Sequence, residues 1–376
     1  MIPYGKQTIE DDDIDAVVRV LKSDWLTQGP KVEEFEQALV DAVGATHAVA
    51  FSNGMVALMA SFFVAGLKDG DEFITTPITF AATSNAGIWF GAKPVFVDID
   101  PRTGNMDPDL IEAAITPRTK AIVPVDYAGH PADMMRIMDI AKKRGLIVIE
   151  DGCHALGATI DGKRIGSIAD LTAFSFHPVK PITTGEGGAV TTDNQEYAER
   201  LKLFRNHGIT KENLKFPSPG GWYYEMQALG VNGRLTDIQC ALGVSQLKKL
   251  DRFIEERRAI AARYRDAFAD DPSIEVPQEL DGVRCGWHIY PIRLRGVWAG
   301  RRAEAFKKLR EAGIGVQVHY IPVHHLPFYA ERGYAASLCP KAVAYSDAEL
   351  SLPVYPTLSA EDQQTVIATL KDILTT

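Results

Sequence analysis

The residues best suited to chemistry stand where short apolar runs end. Lys180 lies in SFHPVKPITTGEGG, residues 175–188, between Pro178 and Pro181 and ahead of glycines 185, 187 and 188. A lysine after a strand is ordinarily a solvated charge, but a loop of turn formers holds its ammonium in a shaped setting. Asp151 closes the run LIVIED, at a position where an aspartate serves either as a site carboxylate or as the cap of a following helix. Ser52, Asn53 and Gly54 follow HAVAF and lead into MVALMASF, a strand end, a glycine and a helix start. That arrangement offers the backbone N–H groups of Gly54 and Met55 to a phosphate. Ser175, five residues before the lysine, adds a hydroxyl. GEGG lacks the GxGxxG spacing of a dinucleotide loop and reads as a hinge or tight turn.

A desolvated lysine, a carboxylate and a phosphate seat together match one cofactor. A lysine that loses its proton condenses with a carbonyl, and pyridoxal 5'-phosphate needs such a lysine with a carboxylate against its pyridinium nitrogen. Lys180 is then the catalytic residue and Asp151 its partner in cofactor binding. Arg234 suits bidentate phosphate recognition, or else forms an ordinary ion pair near a helix start. His319, His324 and His325 have no acidic or cysteine partner at metal spacing, so loop or sugar contacts are expected and no metal.

The elements that position these residues follow from periodicity. HAVAFS, EFITTP, PVFVDID, AIVPVDY, LIVIED, TAFSFH and GAVTTD read as buried strands between His47 and Asp193. Helical stretches at Met55–Leu67, Asp107–Ile115 and Ala132–Lys143 separate several of them, which predicts an α/β fold with a mainly parallel sheet. From Leu235 to Phe268, apolar residues at mostly helical spacing predict one long helix bridging two domains. Beyond it GWHIYPIRL, GIGVQVHY and ELSLPVYP read as strands, with helices at 301–311 and 360–374. The expected division is a large domain at 1–250 and a small α+β domain at 251–376. KFPSPGG, 215–221, is the notable loop.

A chain of 376 residues exceeds the size of a single core. The net charge of −9 argues against a nucleic-acid surface, and no apolar run reaches the ~20 residues that cross a bilayer. The start MIPYGKQTIEDDD has no basic region followed by an apolar run, and Cys153, Cys240, Cys285 and Cys339 form no CxxC pair. A soluble cytoplasmic protein with reduced thiols is expected.

In order along the chain, DWLTQGPKVEEFE, SNGMVAL, TPITFAATSNA, EDGCHALGA, SFHPVKPITTGEGG, NGRLTDIQCALGVSQLKKLD, VHYIPVHHLPFY and LSLPVYPTLS resemble the DegT/DnrJ/EryC1/StrS family of sugar aminotransferases. The resemblance implies the fold-type I architecture of pyridoxal-phosphate aminotransferases, with a seven-stranded mainly parallel sheet and a smaller C-terminal α+β domain. It implies that Lys180 carries the cofactor as a Schiff base, that Asp151 pairs with the pyridine nitrogen, and that His154 lies near the ring hydroxyl. Ser175, Gly54 and Met55 hold the phosphate, Phe80 stacks on the ring, and Asn232 reaches the phosphate of a neighbouring subunit. A homodimer with shared active sites follows. Tyr4, the Asp24, Trp25, Leu26, Thr27 turn, Gln317, His319 and Tyr320 match sugar-nucleotide contacts, with Arg234 facing the diphosphate. Met55 departs from the family, much of which has a hydroxyl residue there. Relatives acting as dehydratases replace the lysine by histidine, so Lys180 favours transamination. SFHPVKPITTGEGG, VDYAG and QVHYIPV resemble the branch serving pseudaminic acid synthesis, which uses L-glutamate to aminate C4 of a UDP-linked 4-keto-6-deoxy-N-acetylhexosamine. Alternatives are amination of another nucleotide 4-keto sugar and a non-catalytic cofactor-binding regulator.

Overall fold

The computed structural model describes residues 1–375. The seven apolar runs all form strands of one sheet: β1 (His47–Phe51), β2 (Glu72–Thr75), β3 (Lys93–Phe96), β4 (Thr119–Val123), β5 (Ile147–Asp151), β6 (Leu171–Ser175) and β7 (Gly188–Thr192). Their order is β1-β7-β6-β5-β4-β2-β3, parallel from β3 through β6. β7 runs against both β6 and β1. Parallel strands covered on both faces are apolar at nearly every position, which is why these runs do not alternate with polar residues. One core holds Leu39, Ile122, Val148 and Phe174 and another Phe62, Phe73, Val123 and Leu171.

The helices that concern the site are α1 (Asp11–Leu21), α2 (Pro30–Val43), α3 (Gly54–Val64), α4 (Ala82–Ile88), α5 (Met134–Arg144), α6 (Gln195–Arg205), α7 (Asp237–Leu247) and α8 (Leu250–Phe268). Asn53 caps α3 by accepting the Val56 N–H at 3.0 Å. α2 is capped from far along the chain: the buried Asp237 carboxylate accepts the N–H groups of Gly29 and Lys31 at 2.8 and 3.0 Å.

The long helix expected from Leu235 to Phe268 is two helices. Thr236 caps α7 with a capping box, leaving Leu235 outside, and the chain breaks at Lys248–Lys249. The Lys249 ammonium turns inward to Asp12 and Asp13 on α1, at 2.6 and 2.7 Å, and this ion-pair cluster overrides the helical periodicity. α8 places Leu250 and Ile254 in the first core and Ile260, Tyr264 and Phe268 in another built on a small antiparallel sheet. The helix expected at Asp107–Ile115 shrinks to a 3-10 turn and one helical turn at Ile111–Ala114. Pro117 disfavours helical backbone at Thr116 and stops it.

The small sheet joins β8 (Ile274–Glu275), β9 (Tyr290–Leu294) and β10 (Glu349–Leu352). GIGVQVHY, expected as a strand, makes only single bridges, Ile314 to Ile2 and Gln317 to Ser351. A buried carboxylate interrupts its ladder, because the His319 N–H donates to Glu349 at 2.7 Å. Among the described residues no helix is long and apolar enough to cross a membrane, and all four cysteines are free thiols.

Candidate active site

The carboxyl ends of β1, β5 and β6 meet on one edge of the sheet, where ligands of such folds bind. Reversed β7 closes the group, since Gly188 pairs with both Phe51 and Ser175. A Cβ on Gly188 would stand 2.5 Å from the Asn53 carbonyl and 2.8 Å from the Gly54 nitrogen. The GEGG segment is therefore the entry of a strand, and its last glycine lets β7 lie against the start of α3. Gly54 is equally confined, with a Cβ there 2.9 Å from that of Ser175. The first N–H groups of a helix have no partner inside it, so Gly54 and Met55 present open donors beside the Ser175 hydroxyl.

Lys180 is half-buried in the turn after β6, and its Nζ makes no hydrogen bond or ion pair among the described residues. Burial lowers its pKa from the usual lysine value, opposed by Cys153 and Asp151. Asp151 is buried, and its carboxylate accepts the Thr83 hydroxyl at 2.6 Å and the Cys153 N–H at 3.2 Å. No helix follows Asp151, which removes the capping role considered for it. Thr83, on α4, also meets the Thr79 hydroxyl at 2.7 Å and so orients the carboxylate from the side.

His154 is buried, its Nε2 3.2 Å from the Tyr320 hydroxyl and its Nδ1 without a partner. His288 packs on it at 4.4 Å between ring centroids, also with an unpartnered Nδ1. Burial, with Lys180 nearby, pushes the pKa of both imidazoles well below the usual value. His319 is pushed down to about 3 by burial and Lys180, while its Nδ1 meets the Ser351 hydroxyl at 2.8 Å. Tyr4 reaches this group from the amino terminus, its ring 5.7 Å from that of His319. Phe80, at 65% exposure, faces Tyr320 at 6.2 Å across the opening.

Thus Lys180, Asp151, His154, Ser175, Gly54, Met55, Phe80, Tyr4, His319 and Tyr320 come together. Gln317 is exposed and its amide oxygen folds back onto the Val318 N–H. The remaining candidates form a second group. Asp24, Trp25, Leu26 and Thr27 make an exposed turn tied to α7, with Thr27 bridged to Thr236 and the Asp237 N–H donating to the Leu26 carbonyl. Asn232 is exposed nearby in sequence, and Arg234 donates to Asn206 at 2.7 Å, so the ion pair considered for it is absent among the described residues. Arg234 lines a cavity of about 680 Å³ with Gln28, Arg200 and Lys211. No hydrogen bond, ion pair or ring contact joins this group to Lys180 or Asp151 among the described residues. His324 is buried beside Phe96 and in ring contact with His325, whose Nε2 meets the Ala336 carbonyl at 3.0 Å, the loop contact expected.

Thr83, Cys153 and His288 belong to the site without having been singled out. Thr83 lies three residues after Phe80 within TPITFAATSNA, in the first turn of α4 just past the loop that carries Phe80. Pyridoxal phosphate fits this constellation. An unpaired, desolvated lysine, an oriented carboxylate, an unpartnered His154 Nδ1 and a phosphate-sized set of open donors are the groups its carbonyl, ring and phosphate require.

The pattern of the DegT/DnrJ/EryC1/StrS aminotransferase family matches residues 7–371. The chain is 43% identical to the spore coat polysaccharide biosynthesis protein SpsC of Bacillus subtilis, covering 99% of this chain and 97% of that one. It is 41% identical to a UDP-4-amino-4,6-dideoxy-N-acetyl-beta-L-altrosamine transaminase of Campylobacter jejuni, covering 100% and 98%. Among solved structures, Helicobacter pylori PseC, an aminotransferase involved in pseudoaminic acid biosynthesis, superposes with a TM-score of 0.94 at 36% identity, covering 99% and 98%.

Proposed function

The chain belongs to the DegT/DnrJ/EryC1/StrS aminotransferase family, and on that premise we propose that it transfers the amino group of L-glutamate to C4 of a UDP-linked 4-keto-6-deoxy-N-acetylhexosamine. Its cofactor is pyridoxal phosphate. The observation that carries the reading is Lys180, whose unpaired and desolvated Nζ stands at the same strand ends as Asp151 and the Gly54–Met55 donors. The fit to the altrosamine transaminase and to PseC over nearly the whole chain supports the sugar.

When bound, the cofactor supplies an electron sink and a carbon that carries nitrogen between donor and acceptor. The chain's own residues do the rest. Lys180, with its proton affinity lowered by burial, takes the proton from Cα of glutamate and delivers one at C4 of the sugar in the second half-reaction. Asp151, oriented by Thr83, would hold the pyridine nitrogen. His154, with its free Nδ1, and Phe80 would hold the ring. Gly54, Met55 and Ser175 anchor the phosphate.

The second group, largely exposed and apart from Lys180, supports a site shared in a homodimer: Asn232 reaches the partner subunit's phosphate seat, and the Asp24–Thr27 turn and Arg234 contact nucleotide and diphosphate across the interface. Tyr4, Gln317, His319 and Tyr320 contact the sugar. The test is to incubate the purified protein with glutamate and a panel of nucleotide 4-keto sugars, following 2-oxoglutarate and the C4 configuration of the product. Amination of the UDP sugar is expected. Amination of only a GDP or dTDP sugar would overturn the substrate, and none at all would overturn the activity.

A further inference from the structure

Two more carboxyls lie beneath Asp151 and take no part in the chemistry above. Asp126 follows β4, and Glu150 precedes Asp151 on β5, so its side chain points to the opposite face of the strand. Both are fully buried. The backbone links them to the site, since the Asp126 N–H donates to the Asp151 carbonyl at 3.1 Å and the Asp151 N–H to the Pro124 carbonyl at 2.9 Å.

One oxygen of each side chain is satisfied by a neutral donor: Asp126 Oδ1 accepts the Ala132 N–H at 2.8 Å, and Glu150 Oε2 the Thr172 hydroxyl at 2.7 Å. The others, Asp126 Oδ2 and Glu150 Oε1, have no conventional donor. Val125 bridges to Asp151, so Asp126 and Glu150 turn together to the other face and stand close enough to act on each other's charge. Ionised carboxylates only accept, so two buried neighbours with no donor for these oxygens are relieved by a proton between them. The groups packed around the pair from the neighbouring elements are the Ala132 N–H, the Thr172 hydroxyl, the backbone of Gly166, the thiols of Cys153 and Cys285, and the Asp151 carboxyl.

We propose that Asp126 and Glu150 form a buried acid pair holding a shared proton through neutral pH, and that this pair is the positioning device for Asp151. It pins the backbone of Asp151, at the end of β5, against the chain that continues β4. It also limits the negative charge beneath Asp151 to one unit. Burial pushes both groups up, Glu150 to about 7 and Asp126 well above the usual carboxylate range. The two titrate as a coupled unit. The positioning half rests on the role proposed for Asp151; the shared proton does not.

The sign of the linkage follows. The unfolded chain releases both protons near pH 4 to 5 while the folded chain keeps one, so the pair's contribution to stability falls as pH rises from about 5 through neutrality. Glu150→Gln donates to Asp126 from an amide and has no proton to keep. The experiment uses apo-protein of the wild type, Glu150→Gln, Asp126→Asn and Glu150→Ala. In the infrared spectrum at pH 7 the wild type is expected to show a protonated-carboxyl band that Glu150→Gln lacks. Its denaturation midpoint relative to Glu150→Gln falls between pH 5 and 8. Pyridoxal phosphate binding is expected to weaken at least tenfold in Glu150→Ala, and the Gln variant restores most of it. Absence of the infrared band together with parallel stability curves overturns the shared proton. Wild-type cofactor affinity in Glu150→Ala overturns the positioning role, as does failure of glutamine to rescue it. Should Glu150→Ala not fold, Asp126→Asn provides the same comparison.

Discussion

Gly54→Ala tests whether the start of α3 is a phosphate seat shaped by absent side chains. The new methyl would sit 2.9 Å from the Ser175 Cβ, 3.3 Å from its Oγ and 3.5 Å from the Cys153 sulfur. Carbon atoms pack best at roughly 3.5–4.0 Å, so about 0.6 Å or more must be absorbed by moving Ser175. Overpacking of this kind costs about 1–3 kcal/mol, partly offset by the better helix propensity of alanine, worth up to about 1 kcal/mol. A fall of a few degrees in Tm is expected. The larger effect falls on the ligand. If Ser175 loses its hydrogen bond to a charged phosphate, about 1.5–3 kcal/mol of binding is lost, which corresponds to roughly 10- to 150-fold in Kd.

The assay titrates apo-protein with pyridoxal phosphate, and with pyridoxal, which lacks the phosphate, as control. Gly54→Ala should weaken the first and leave the second nearly unchanged. Because the clash is with the Ser175 Cβ, adding Ser175→Gly should relieve it, so the double variant should bind no worse than Ser175→Gly alone. Equal loss for both ligands, or wild-type affinity in Gly54→Ala, would refute the placement of the phosphate.

Lys180→Met should abolish the visible absorption of the lysine-bound cofactor while leaving the protein folded. Its pKa is lowered on folding, so the charged lysine destabilises the apo-protein below its unfolded pKa, and the variant should be at least as stable at pH 7, with the difference shrinking as pH approaches 10. Denaturant melts across pH check this; a less stable variant at neutral pH contradicts it. His319, pushed down to about 3, is neutral in the folded chain, so each pH unit below about 6 removes up to about 1.4 kcal/mol from this ring. His319→Asn should flatten the loss of Tm between pH 6.5 and 4.5, and an unchanged slope speaks against it. Asp237→Ala removes the two N–H bonds that cap α2 and should cost about 1–2 kcal/mol. Hydrogen exchange should rise across residues 24–31 with pyridoxal phosphate affinity unchanged; loss of that affinity would show that the turn and the lysine site are not separable.

How much of this was legible in the sequence depends on what held each residue in place. The seven strands were readable because a strand buried on both faces is an uninterrupted apolar run, a local property. The GIGVQVHY segment failed for the opposite reason: its apolar residues are real, but a carboxylate from Glu349 takes the N–H that a strand partner would have taken. Likewise the apolar spacing across 235–268 could not reveal that Lys249 would meet Asp12 and Asp13, more than two hundred residues away.

The site divides along the same line. Lys180, Asp151 and Gly54 stand at strand ends, which a sequence marks by where apolar runs stop. Thr83 and His288 act through contacts across the fold, one donating to Asp151 and the other packing on His154, and neither is marked by its neighbours. The Asp126 and Glu150 pair is the extreme case. Each residue alone reads as a polar end to an apolar run, and only the bridge of Val125 to Asp151, which turns both carboxyls to one buried face, makes two ordinary acids into a group that keeps a proton. Local pattern therefore identified the groups that would touch a ligand, whereas the groups that set their charge and aim come from register between strands, and these are the ones that mutation of the site's surroundings should expose.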